Sequence, residues 1–335
     1  MKNDTVSLSP TRRLAVQGLT ALAAIPLLAR AQAPGQSFPN RTVRIVVPYP
    51  TGGTNDVLAR LVGQKLSDAW GQPVVVENKP GAAGNIGAAE VARAPADGYT
   101  LLLTNINITS MNPALMQRMP FDPQKDFSSI SLLGTTSLML AVNPNVPVNN
   151  VQELIKLLRA KPGRLSYASS GSGSPQHMSA EMFKAVTGTS IVHIPYRGAA
   201  PAIADVVGGQ VEVIFGVVNQ VLPQVRAGRL RGLAVTSSKR LASAPELPTL
   251  EESGVKSYES EIWLGLAAPA NTPAAIIEKI NQDVRKAMEQ PDVASKLSGQ
   301  GVDILLSSPD QMSQRAALDL QRWTAIIKKM GIKSE

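Results

Sequence analysis

Five short segments carry residues that could hold or attack a small molecule. PYPTGGTND (residues 48–56) puts two glycines and two threonines in a turn that opens a helix. Such a turn brings backbone N–H groups close to a ligand, and the helix start favours an anion. The segment lacks the Gly-Lys-Ser/Thr of a Walker loop and the Gly-x-Gly-x-x-Gly of a dinucleotide fingerprint. An ordinary glycine turn with an Asn or Asp helix cap has the same composition. SSGSGSPQH (residues 169–177) supplies hydroxyls and N–H groups suited to a carboxylate, with Ser174-Pro175 as cap and first residue of a helix. HIPYRGAAPA (residues 193–202) sets Tyr196 and Arg197 before a third helix, and an arginine there can pair bidentately with a carboxylate or remain a solvated rim charge. ENKPGAAGNIGAA (residues 77–89) reads as close packing or a turn. TNINITS (residues 104–110) is polar at the end of an apolar run.

A serine hydrolase is the competing chemistry for the second segment. It would need a base beside a serine, and the chain has only His177 and His193 to offer. Neither Gly-x-Ser-x-Gly nor Ser-x-x-Lys occurs there. His193, inside an apolar run, reads as a satisfied core or rim histidine.

These segments need elements to position them. Apolar runs at residues 42–47, 73–76, 100–103, 165–168, 191–194, 211–215 and 232–236 are bounded by Gly, Pro and Asn and read as strands. Several are almost wholly apolar, which suits a mainly parallel sheet buried on both faces. Between them, helical spacing marks Val57, Leu58, Leu61, Val62 and Leu66, then Val151, Leu154, Ile155 and Leu158, then Ile276, Ile277, Ile280 and Val284. Asn149-Asn150, Thr272-Pro273 and Ser308-Pro309-Asp310-Gln311 sign helix starts. Strand–helix alternation predicts an α/β protein. Four of the five segments then fall past strand C-terminal ends, where open α/β sheets bind ligands. They offer donors and few carboxylates, which favours holding an anion over transforming it.

Two long apolar stretches, residues 130–142 and 262–268, break the rhythm. They read as passages between two lobes: residues 36–138 plus 262–335, and residues 139–261. The first 31 residues read as a cleaved signal peptide: Lys2, Arg12 and Arg13, an apolar stretch over residues 14–29, and a small-x-small site before a cut after Ala31. That stretch is shorter than the ~20 residues of a spanning helix.

The 335 residues suffice for two domains and include no cysteine, which excludes disulfides, thiolate metal sites and a cysteine nucleophile. With two histidines, no metal or other cofactor is expected. The net charge of +8 falls to +5 without the +3 of residues 1–31. It fits an anionic partner. No arginine-rich run is interleaved with aromatics, so no nucleic acid is expected.

Taken in order, VPYPTGGTNDVLAR, VENKPGAAGNIGAAEVA, ADGYTLL, YASSGSGSPQHMSAEMF, HIPYRGAAPAIADVVGGQVEVIFG, AGRLRGLAVTSSKR and PELPTLEESG resemble the solute-binding proteins of tripartite tricarboxylate transporters, the Bug receptors. The resemblance spans nearly all of the chain after the leader. It implies a monomeric, non-enzymatic periplasmic binding protein of two α/β lobes joined by two crossover strands, closing on a ligand by hinge motion. It also implies a small organic acid as ligand: a dicarboxylate, a tricarboxylate, an acidic amino acid or an aromatic acid. The partner would be the membrane carrier of such a transporter, or a sensor protein. Carried over by motif, the ligand-binding residues would be Tyr49, Thr51, Gly52, Gly53 and Asn105 on one lobe. On the other they would be Ser169, Ser170, Ser172, Tyr196, Arg197, Gly198 and Ala199. Asp56 would cap the first helix. After VEVIF the family often carries Asp-Asn and a later Ser; here stand Gly216, Val217 and Gln220. If that strand end lines the cleft, the ligand is less polar or larger, and Gly216→Asp would shift its preference.

Overall fold

Each apolar run of the sequence becomes a strand, and each periodic stretch between them packs as a helix. The computed structural model describes residues 38–256, 258 and 260–331. The export segment expected over residues 1–31 lies outside these. The compact unit begins at Arg41.

Strand β1 (Val43–Val47) leads into α1 (Thr54–Trp70), β2 (Val74–Asn78), α2 (Asn85–Ala92) and β3 (Thr100–Asn105). β1 lies between β2 and β3, parallel to both. A π-helical turn (Asn107–Met111) and the single turn α3 (Asn112–Leu115) precede β4 (Phe127–Val142). Next come α4 (Val151–Ala160), β5 (Ser166–Ser169), α5 (Pro175–Thr187), β6 (Val192–Pro195), α6 (Ala199–Val207), β7 (Val213–Val217), α7 (Val218–Arg226) and β8 (Arg231–Val235). β5 pairs in parallel with β6 and β7. The chain returns through β9 (Glu261–Pro269) and closes with α8 (Ala274–Met288), α9 (Pro291–Gly299), β10 (Val302–Ile304) and α10 (Pro309–Met330).

The strand order β2-β1-β3-β9-β4-β7-β5-β6 corrects the expectation of a mainly parallel sheet. Two parallel groups are joined by antiparallel strands, because β4 and β9 run against each other and against β7 and β3 respectively. The two stretches that broke the rhythm are β4 and β9. Among the described residues β4 alone pairs on both sides of the junction, with β9 and β10 along its first part and with β7 and β8 along its last.

Each parallel group has its own core. Val46, Ala88, Val91, Leu102, Ile108 and Phe121 fill the first. Met139, Ala141, Ala168, Val206, Ile214 and Val221 are among those that fill the second. Each large aliphatic side chain buried this way contributes roughly 1.5–3 kcal/mol. Helix starts follow the sequence signals. Asn150 accepts the Glu153 N–H at 2.9 Å, and Ser308 and Gln311 form a reciprocal capping box. Pro273 takes the cap position of α8 in place of the first helical one, while Thr272 bonds back to the Pro269 carbonyl at 2.8 Å. Among the described residues, no helix is long and apolar enough to cross a membrane.

Candidate functional site

The turns after β1, β2, β3, β5, β6 and β7 leave the strands' C-terminal ends and surround one cleft of about 840 Å³. In the first wall, Gly52 adopts φ +82°, open to glycine at no steric cost, and donates its N–H to Asp56 Oδ2 at 2.9 Å. Asp56 also accepts from Asn78 at 2.9 Å and pairs with Arg60. Burial pushes its carboxyl up, but the hydrogen bonds from Arg60, Gly52 and Asn78 outweigh it and hold the group below the ordinary carboxylate range. Asp56 therefore anchors the glycine turn, while the cap position of α1 belongs to Gly53, whose backbone ends the turn without a side chain over the helix. Tyr49 turns its hydroxyl onto Asn105, 3.2 Å from Oδ1 and 3.1 Å from Nδ2.

Residues 80–84 form a second stretch of this wall. Ala82 and Ala83 sit at φ +48° and +53°, a left-handed pairing that costs roughly 1–2 kcal/mol per residue. What sustains it is visible: the Ala83 carbonyl accepts from the amides of Asn107 and Asn112, at 2.9 and 3.0 Å, and both asparagines are fully buried. The close packing expected of this segment is found at Gly87, where a Cβ would approach the Lys79 carbonyl to 2.9 Å.

The opposite wall begins at β5. Ser170, Gly171 and Ser172 line the cleft, Ser170 donating to Gln176 Oε1 at 2.9 Å. Ser174 caps α5 through the His177 N–H, with Pro175 as its first residue. Ser169, expected at the ligand, does not line the cleft. Strand alternation puts it on the face of Tyr167, above His193 of β6. It is 1 % exposed; its hydroxyl lies 2.7 Å from His193 Nε2 and accepts the Gly171 N–H at 3.1 Å. The His193 ring is stacked between Tyr167 and His177, and His177 Nδ1 accepts the Gly173 N–H. A serine–histidine pair exists, then, with its oxygen packed beneath the loop.

After β6, Tyr196 directs its hydroxyl to Asp205 of α6 at 2.6 Å, and burial together with that carboxylate pushes it up to about 12. Its body lines the cleft. Arg197 is exposed at the rim, the only charged side chain among the described residues that line the cleft. Gly198, at φ +118°, caps α6, whose first residue is Ala199. At the floor, Thr136 of β4, Ile262 and Leu264 of β9, and Val217 and Gln220 complete the lining. Gly216 does not take part: a Cβ on it would overlap the Val221 side chain of α7, so the direction open to an aspartate leads into the helix packing.

Two charge features decide what this cleft can hold. Gly53, Gly84, Ser174, Gly198 and Val217, the cap residues of α1, α2, α5, α6 and α7, all line it, so five helix starts converge there. No carboxylate side chain among the described residues opposes them. Each helix start favours an anion by about 0.3–1 kcal/mol. Among the described residues no cluster of three or more His, Asp or Glu could hold a metal ion.

The family model described as tripartite tricarboxylate transporter family receptor matches residues 58–332. The chain is 35% identical to protein BugT of Bordetella pertussis, over 96% of this chain and 98% of that one. The chain belongs to this receptor family. Among solved structures, R. palustris Rpa4515 with adipate superposes at a TM-score of 0.84 with 36% identity, covering 88% of this receptor and 99% of that chain. The periplasmic binding protein BugD gives 0.82 with 32% identity, covering 89% and 100%.

The receptor's cleft gathers eleven of the twelve residues expected from its motifs, Ser169 being the exception. Sequence reasoning missed residues 80–84 as a wall, because nothing in two alanines announces a left-handed turn. It also missed Thr136, Ile262 and Leu264. Their stretches read as passages between the lobes, and nothing local says which of their residues meet the cleft.

Proposed function

We propose that this receptor captures a small organic carboxylate in the cleft and delivers it to the membrane carrier of a tripartite tricarboxylate transporter, or to a sensor protein. The observation that carries the reading is the convergence of five helix starts and Arg197 on a cleft where no described residue sets a carboxylate. Backbone N–H groups and hydroxyls there form charge-assisted bonds, roughly twice as strong as neutral ones. The adipate held by Rpa4515 is in keeping with such a ligand. In this proposal residues 1–31 export the chain to the periplasm and are removed. The lobes comprise residues 36–138 plus 262–335, and 139–261, and the receptor works as a monomer without catalysis. The buried placement of the Ser169 hydroxyl argues against a hydrolase.

Thermal unfolding of the purified receptor against a panel of carboxylates and their amides tests this. A ligand at ~100 times its Kd adds about 2.7 kcal/mol. A rise in Tm with an acid and none with its amide is expected. No rise with any dicarboxylate, tricarboxylate, acidic amino acid or aromatic acid would overturn the proposal.

A further inference from the structure

Helix α7 follows β7 with no loop between, Val217 being both the last strand residue and the helix cap. This fixes Asn219 in the first turn of α7, and its side chain reaches out of its own group of strands. Nδ2 of Asn219 donates to Thr54 Oγ1 at 3.2 Å and to Gln300 Oε1 at 3.1 Å. Oδ1 of the same amide stands 3.4 Å from the Thr54 hydroxyl. Thr54 opens α1 and lines the cleft from the wall of the first parallel group. Gln300 lies in the turn between α9 and β10. That turn is tied to β4, because the Gly301 carbonyl accepts the Thr136 hydroxyl at 2.9 Å and Val302 pairs with Thr136. The backbone closes on the same spot: a Cβ on Gly301 would lie 3.7 Å from both the Asn219 nitrogen and the Val218 side chain. Neither Asn219 nor Gln300 lines the cleft.

We infer that Asn219 is a positioning residue for ligand capture, a latch whose amide bonds one lobe to the other only when the cleft is closed. The inference rests on the two-lobe receptor reading above: Thr54 and Gln300 fall in residues 36–138 plus 262–335, and Asn219 in 139–261. Hydrogen bonds weaken steeply once donor and acceptor part, so an opening of a few ångströms at α7 breaks both. A contact made in one of two states shifts the equilibrium by its own worth. In the closed state the latch holds the start of α1, an end that favours anions, on the cleft wall. In the open state each polar group returns to water. Ligand entry precedes the latch and release must break it, so it acts on the dissociation rate.

The probes are adipate, citrate, glutamate and nicotinate. Calorimetry and stopped-flow displacement give Kd and the rates for the purified receptor, Asn219→Ala, Gln300→Ala and the double variant. For each acid that binds, Asn219→Ala should raise Kd about tenfold, and Gln300→Ala, which removes one of the amide's two partners, about threefold. The double variant should match Asn219→Ala, since both bonds share one amide. The rise should lie in the dissociation rate, with association unchanged. An unchanged Kd in Asn219→Ala would overturn the inference and leave the carboxylate reading standing, as would a rise carried by slower association. A lower Tm with unchanged Kd would show a contact kept in both states. If none of the four acids binds, small-angle scattering without added acid decides. Asn219→Ala should then have a larger radius of gyration than the native protein, and equal radii overturn the latch; the carboxylate reading is judged by its own panel. Gln300→Ala carries the test alone should Asn219→Ala not fold.

Discussion

Oδ2 of Asp56 stands 2.9 Å from the backbone nitrogen of Gly52, so a side chain in the first turn of α1 holds the glycine turn that faces the cleft. With Asp56→Ala, the Gly52 N–H and the Asn78 amide lose an acceptor at a site only 4 % exposed. Urea unfolding should show a loss of about 2 kcal/mol. Ligand affinity should fall with it, because the turn is then free to leave the cleft wall.

The same residue gives the receptor an acid limit. Its carboxyl is held below its ordinary value in the folded protein, so its contribution is fully present above the unfolded value of about 4. It is lost as pH falls through the lower folded value. The difference in unfolding free energy between the native protein and Asp56→Asn should therefore be constant from neutral pH to about 5 and shrink below about 4.

Ser169→Ala removes a hydroxyl that ties β5 to His193 and to its own loop. Unfolding free energy should drop by about 1–2 kcal/mol. Any turnover of a p-nitrophenyl ester should be the same with and without this hydroxyl, since Ser169 is buried off the cleft.

Gly216 has room for hydrogen alone. Gly216→Ala sets a methyl against Val221, which is fully buried, and should cost about 1–3 kcal/mol in thermal or urea unfolding. Gly216→Asp should do worse, adding a carboxylate to apolar packing. A change of ligand preference from that substitution would arise only through displacement of α7.

Arg197→Ala should weaken carboxylate binding by roughly tenfold, the worth of about 1.4 kcal/mol expected from one charge-assisted contact at an exposed rim. Salt should weaken the native protein's binding more than the variant's, and calorimetry at two ionic strengths reads both effects.

How far the sequence disclosed this site depends on what each residue's position relies on. The turns at Gly52, Ser174 and Gly198 were legible, because glycine, Ser-Pro and strand–helix punctuation are local signals. The capping of α4 by Asn150 and of α10 by Ser308 is local in the same way. Ser169 and Gly216 were misplaced for one shared reason. Each lies at a strand end, where a step of one residue exchanges the two faces, and composition does not say which face meets the cleft. Residues 80–84 escaped because their conformation is imposed by Asn107 and Asn112, more than twenty positions downstream. The antiparallel course of β4 and β9 escaped because an apolar run has no direction until it has neighbours.

β4 takes part in pairings on both sides of the junction, and its register already shifts between Ser129 and Ser131, between Leu132 and Gly134, and opposite β8 between Leu140 and Ala141. Gaining or losing one residue in its middle would therefore reverse every side chain on one side of the break, exchanging buried for exposed positions against several partner strands together. The turns that line the cleft can absorb a change of length without disturbing any strand register. Along β4 the same change would have to be absorbed in a new bulge, leaving this stretch as the chain's fixed ruler.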